Sequence, residues 1–337
     1  MNTKKYDFYP TEMIKGTKNM TVCPEFIKYC RIGARKLKKK LAKQLRDYYD
    51  EVIVEDGFVY CRSVNAPCLL TAHMDTVHEN VMQNYYEWTN EKGQHIVASP
   101  DGIGGDDRCG VYMIMKILKE TDLRPAILFC EDEEIGGIGS AKFVVTNYIN
   151  ELKGMKYLIE LDRCNGDDLV FYDDANNDFH NFCESVTGYR ESYGSFSDIS
   201  NLAPECGVSA VNISCGYYNQ HTKKETVNIE EMQHSIKMTK LLIEESQNET
   251  TPFFEYEEDR YTRYYGKYGS YYDYYGDFNS YKPAITTSHA IEFTFIKDGA
   301  EVIQDVMAAD EYEALAKLMI DNPTICYNDI VDYFWVQ

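Results

Sequence analysis

The sequence has no CxxC pair, although it contains 11 cysteines. They are scattered, odd in number and mostly embedded in apolar runs such as AILFC and VNISC, which fits reduced core thiols and not a disulfide framework or a thiolate zinc site. Any metal is therefore expected on histidine and carboxylate. Basic residues are scarce as well: 34 Lys and Arg stand against 55 Asp and Glu, for a formal charge of -21. A phosphate backbone needs clustered cations across the binding face, so nucleic acid is excluded as a partner. Long apolar runs are absent too. No stretch approaches the roughly 18 residues that span a bilayer, and MNTKKYDFYP lacks the apolar centre of a secretory signal. The expectation is a cytoplasmic protein with no membrane partner.

What is present is enough to build a large core: 337 residues, 44% of them hydrophobic. Near the N-terminus Ile32, Leu37, Leu41 and Leu45 fall on one helical face, with RKLKKK on the other, as in a solvated amphipathic helix packed on a domain. From Glu51 to Ser246 short β-rich runs alternate with helical ones. EVIVE, FVYCRS, CLLTAH, AILFCE, YLIEL, DLVFY and GVSAVNIS read as strands. DRCGVYMIMKILKE, SAKFVVTNYINE and NIEEMQHSIKMTKLLIEE read as helices. This order predicts an α/β fold with a mixed, largely parallel sheet flanked by helices on both faces. The main domain is expected over 1–250. Residues 251–283 read as a Tyr-rich linker or loop, with ten tyrosines between Glu255 and Lys282 and little aliphatic content. Such a tract also suits a protein partner or self-association, because tyrosine supplies contact area at low rotamer cost. Residues 284–337 read as a small ββαβ accessory module: a hairpin turning at Asp298 and Gly299, a helix from near Asp310 and a last strand ending DYFWV.

In a parallel sheet, ligands sit beyond the carboxyl ends of the strands. CLLTA is followed by His73, Met74 and Asp75. AILFC is followed by Glu131, Asp132, Glu133 and Glu134, and YLIEL by Asp162. His221 comes shortly after VSAVNIS, and the adjacent pair Asp106 and Asp107 opens the helix between the first two strands. Two histidines and several carboxylates on one rim suit a pair of divalent metals. Adjacent aspartates at the edge of a core also call for a cation beside them.

These motifs, TAHMDTV, GGDDRCG, CEDEEIGG, ELDR and YNQHTKKE, resemble in family order those of the di-zinc exopeptidases, which include aminopeptidases, peptidase T and glutamate carboxypeptidase-like enzymes. The resemblance implies two divalent ions, Zn2+ or else Co2+ or Mn2+, with His73 and Asp162 on one, Glu134 and His221 on the other, and Asp106 bridging. It further implies that Asp75 orients His73, that Glu133 is the general base, and that the Asp106–Asp107 bond is cis. The expected activity is hydrolysis of an amide bond in a peptide or small amide substrate, on the aminopeptidase pattern. Only 59 positions separate Asp162 from His221, too few for an inserted dimerisation domain of roughly 100 residues.

Several assignments have alternatives. Glu131 and Asp132 compete with Glu133 and Glu134, and Asp168 and Asp174 with Asp162; His78 is the further histidine nearest the motif. Arg163 is a candidate clamp for a substrate carboxylate or one half of a structural ion pair. Glu131, Asp132 or Asp198 is a candidate for the substrate's amine. Two other readings stand beside the peptidase: a deacylase acting on non-peptide amides at the same site, and an inactive binding or adaptor protein that uses the Tyr-rich tract and the C-terminal module.

Overall fold

The computed structural model describes residues 23–63, 65–258, 289–297, 300–308, 318 and 330–335. The chain divides into two compact units, Met1–Tyr271 and Tyr272–Gln337. The described part of the first begins with two helices, α1 (Pro24–Cys30) and α2 (Ala34–Leu45), and then β1 (Glu51–Glu55), β2 (Phe58–Arg62), β3 (Cys68–His73), β4 (Tyr86–Thr89) and β5 (His95–Ala98). Next come α3 (Gly105–Glu120), β6 (Ala126–Cys130), α4 (Ile138–Val144), α5 (Ile149–Leu152), β7 (Tyr157–Arg163), β8 (Asp168–Val170), α6 (Asn177–Thr187) and β9 (Arg190–Glu191). It closes with α7 (Asp198–Cys206), β10 (Ala210–Ser214), β11 (Tyr217–Tyr218), β12 (Thr226–Asn228) and α8 (Ile229–Gln247).

Eight strands form one mixed sheet in the order β1-β2-β6-β3-β7-β10-β8-β9. Its central four, β6-β3-β7-β10, are mutually parallel. These are the strands whose sequences are near-continuous apolar runs, as burial on both faces requires. Every residue of CLLTAH, AILFC and AVNIS is buried. Alternate residues feed two separate cores. Leu70, Ala72, Ile127, Phe129 and Ile159 join α1, α2, α3 and α8, whereas Leu69, Leu128, Cys130 and Leu158 join α4, α5 and α7.

Four short strands make a second sheet, β11-β12-β5-β4. The sequence reading did not include it, because runs of two to four residues with polar members carry no resolvable period. It also missed α6 and α7. Each is started by side-chain chemistry: Asn176 accepts the amide of Phe179, and Ser197 and Ser200 form a reciprocal capping box. The expected single helix over SAKFVVTNYINE is two, α4 and α5, separated by the turn at Thr146.

The first unit extends beyond residue 250. Phe254 is buried, its amide donates to Lys156 O and its carbonyl accepts from Ser209 N. The rest of the Tyr-rich tract, from 259 onward, lies outside the described residues. In the second unit, β13 (His289–Lys297), β14 (Ala300–Ala308) and β15 (Ile330–Trp335) form an antiparallel sheet with β13 in the middle, and Lys297 stands opposite Ala300. The helix expected from near Asp310 falls, apart from Leu318, outside the described residues.

Helix α3 approaches β7 so closely that a Cβ at Gly110 would lie 1.8 Å from Leu161 O. Backbone cannot yield as a side chain can. Gly110→Ala is expected to cost about 3 kcal/mol and to lower Tm by about 6–12 °C. An unchanged melting curve would show that α3 has room to shift.

Candidate metal centre

The carboxyl ends of β6, β3 and β7 bring Glu133, Glu134, His73 and Asp162 to one rim, where α3 adds Asp106 and the loop after β11 adds His221. Two sets of three converge: His73, Asp106 and Asp162, and Asp106, Glu134 and His221, with Asp106 common to both. His73 Nε2 lies 3.0 Å from Asp106 Oδ1 and 3.3 Å from Asp162 Oδ1. His221 Nε2 lies 3.0 Å from Asp106 Oδ2 and 3.0 Å from Glu134 Oε2. His73 is fully buried, while His221 is 55% exposed on a loop where its own φ is +60°. Glu133 Oε2 is 4.0 Å from His73 Nε2 and part of neither set.

Nε2 of each of these two histidines therefore faces two carboxylate oxygens at once, and a single N–H proton would have to be shared between them. Buried Glu134 Oε1 has no hydrogen-bond partner among the described residues. Spare oxygens and an over-subscribed nitrogen, all within 4.8 Å in each set, are what a pair of divalent cations would satisfy. The donor set fits. With nitrogen and oxygen donors and no thiolate, it suits zinc, cobalt or manganese.

Protonation equilibria agree with an excess of negative charge. Burial pushes Glu133 up to about 9, against the pull of His73 and with the charges of Asp162, Asp198 and Asp106 adding to it. Burial likewise lifts Asp162 to about 6. His221 is held up to about 10 by its bonds to Asp106 and Glu134. For His73, burial opposes the charged form, but Asp162, Asp106 and Asp75 outweigh it and raise the ring well above its usual value. Asp106 moves the other way: burial disfavours its charge, yet bonds from His221 and His73 hold it below the ordinary range.

Surrounding groups aim these side chains. Asp75 Oδ1 lies 3.4 Å from His73 Nδ1, and the two Asp75 oxygens accept the amides of Glu133 and Glu134, each at 3.2 Å. One carboxylate thus links the histidine to the acidic loop. Asp162 receives Ser197 Oγ at 2.8 Å, and its backbone amide donates to Asn212 Oδ1. The Asp106–Asp107 peptide is cis. Both residues have non-helical dihedrals, so regular helix begins after Asp107. Asp107 Oδ1 then accepts Gly110 N at 2.8 Å in the manner of an N-cap, and its Oδ2 accepts His73 N at 3.1 Å.

Two supporting residues went unassigned in the sequence. Glu225, buried, accepts Gly104 N at 2.8 Å, Asp106 N at 2.9 Å and approaches His78 Nε2 at 3.0 Å, clamping the turn that presents Asp106. The only signal was its place at the end of YNQHTKKE. Arg108, also buried, donates to the carbonyls of Met74, Asp75 and Ile32, tying the His73 loop to the α1–α2 turn.

The competing assignments sort themselves by partner. Glu131 is ion-paired to Lys38 at 2.6 Å. Asp132 belongs to neither cation set, and burial raises its pKa. Asp174 caps the amides of Asn176 and Glu257. Arg163 donates to Asp168 at 3.0 and 3.2 Å and to Ser192, the arrangement of a structural ion pair. Asp198 is fully buried, among Glu160, Ser140 and Cys130, where burial raises its pKa.

No protein family's sequence profile matches the chain, and no curated protein matches it. Solved structures do. The aminopeptidase PepT from Bacillus cereus superposes with a TM-score of 0.53 at 15% identity, over 66% of this chain and 97% of that one. A tripeptidase from Staphylococcus aureus gives 0.52 at 13% identity, over 66% and 96%. Over about two thirds of its length the chain has the fold of these two structures.

The Glu225 clamp has a direct test. Glu225→Gln replaces one of two acceptors with an N–H2 group that faces a donor, which is expected to cost about 1–3 kcal/mol. Urea unfolding should show a lower midpoint at unchanged slope; an unchanged midpoint would remove Glu225 from the account.

Proposed function

We propose that this protein is a metal-dependent exopeptidase of the aminopeptidase type. The observation that carries the reading is one carboxylate, Asp106, shared between two sets of histidine and carboxylate, with Glu133 4.0 Å from His73 and in neither set. His73 and Asp162 would hold one divalent ion, Glu134 and His221 the other, and Asp106 both. Such ions polarise a scissile carbonyl and bring the pKa of a water toward neutrality.

The chain's own residues supply the rest. Asp75 keeps His73 in the orientation that leaves Nε2 facing the ions, and steadies the Glu133–Glu134 backbone. Glu133 takes a proton from the attacking water and returns it to the leaving amine. A carboxylate positioned at the reacting centre is suited to that double transfer. The two structural neighbours above, named as an aminopeptidase and a tripeptidase, add support through their fold.

Hydrolysis of aminoacyl anilides by zinc- or cobalt-supplemented protein tests this. Glu133→Gln is expected to lower kcat by about 10²- to 10⁴-fold, while added zinc still raises its melting temperature as in the parent. Equal turnover by Glu133→Gln would remove it as the base. No cleavage of any anilide by the supplemented parent would overturn the peptidase reading.

A further inference from the structure

The basic face of α2 has no part in the rim chemistry, and it borders a groove between α1, α2 and α3 of about 400 Å³. Lys28, Lys40, Lys116 and Lys119 line it, against a single carboxylate, Glu25. In a chain where acids outnumber bases 55 to 34, a lining of four cations to one anion is a local reversal of sign. Part of it is compensated: Lys119 pairs with Glu25 at 2.6 Å and Lys116 with Glu120 at 2.5 Å. Lys28 and Lys40 have no carboxylate within 4.0 Å among the described residues. Lys40 instead lies over the ring of Tyr29, 4.3 Å from its centre, half-buried on the groove wall. Burial and the neighbouring charge of Lys28 both disfavour its ammonium form.

We propose that this groove is a binding site for a small, multiply charged phosphate anion, either an inorganic polyphosphate or the triphosphate of a nucleotide. Lysine ammoniums are point charges that suit phosphate oxygens without a fixed fork geometry. Several of them around one cleft reward a ligand that carries several charges, where a single carboxylate would leave most of the repulsion in place. The volume lies in the range of ordinary small-molecule pockets, and Tyr29, Tyr48 and Tyr112 give it apolar walls. The site is separate from the acidic rim. Lys119 is near the opposite end of α3 from Asp107, about 18 Å along the helix axis.

Calorimetric titration of the full chain tests this, after dialysis against a chelator so that no metal ion competes for the phosphates. Sodium tripolyphosphate and ATP are the two probes. At least one is expected to bind with Kd below about 1 mM, and Lys28→Gln/Lys40→Gln to weaken it at least tenfold. The single variant Lys28→Gln guards against misfolding of the double one and should weaken binding at least threefold. Lys92→Gln, an exposed lysine elsewhere, should change nothing. Equal affinity for both probes assigns the site to the bare polyphosphate, and ATP tighter by tenfold assigns it to the nucleotide. Failure of both probes to bind, binding that survives in the groove variants, or an equal loss in Lys92→Gln would overturn the proposal.

Discussion

Everything at the rim of this sheet depends on one carboxylate held between two imidazoles. Asp106 stands 3.0 Å from His73 on one side and 3.0 Å from His221 on the other, and a group so placed cannot be left to a flexible rotamer. Its backbone amide is fixed by Glu225, its neighbour Asp107 is fixed by two amides, and Gly110 lets α3 descend onto β7 so that the whole turn sits deep enough. Buried carboxylates that repel one another are costly. Their concentration here is intelligible as a receptacle for positive charge.

The sheet provides the converging geometry. β3 lies between β6 and β7, all three parallel, so the residues that leave their carboxyl ends meet within a few ångströms although 89 positions separate His73 from Asp162. Asp75 then couples two of those strand ends, since the same carboxylate that faces His73 accepts the amides of Glu133 and Glu134. A displacement of the β6 loop would be felt at the histidine. Arg108 extends this linkage to the α1–α2 turn through Ile32 O, which makes the N-terminal helices part of the support of the rim.

Most of the sheet was legible in the sequence because its central strands are uninterrupted apolar runs, and most of the rim because polar residues follow those runs directly. His73, Glu133, Glu134 and Asp162 are visible in that way. His221 is not, since it sits in a loop with a positive φ and only the motif around it singles it out. Glu225 reads as one more acid in KKET, and nothing local says that it turns inward to collect the Gly104 and Asp106 amides. Arg163 and Asp198 are the complementary case. Their chemistry suits a substrate, but the partner that occupies Arg163 and the burial that encloses Asp198 are tertiary facts. The second sheet and α6 and α7 were hidden by strand shortness and by helices whose start is set by caps instead of by period.

The central claim is that Asp106 joins two cation sites into one centre. The direct measurement is calorimetric titration of metal-free protein with zinc, in the parent and in Asp106→Asn. The account predicts two ions per chain for the parent, and for Asp106→Asn at most one, because an amide at the shared position cannot serve both sets with a charged oxygen. A parent that saturates at one ion or fewer, or an Asp106→Asn chain that still takes two with unchanged affinity, would contradict it.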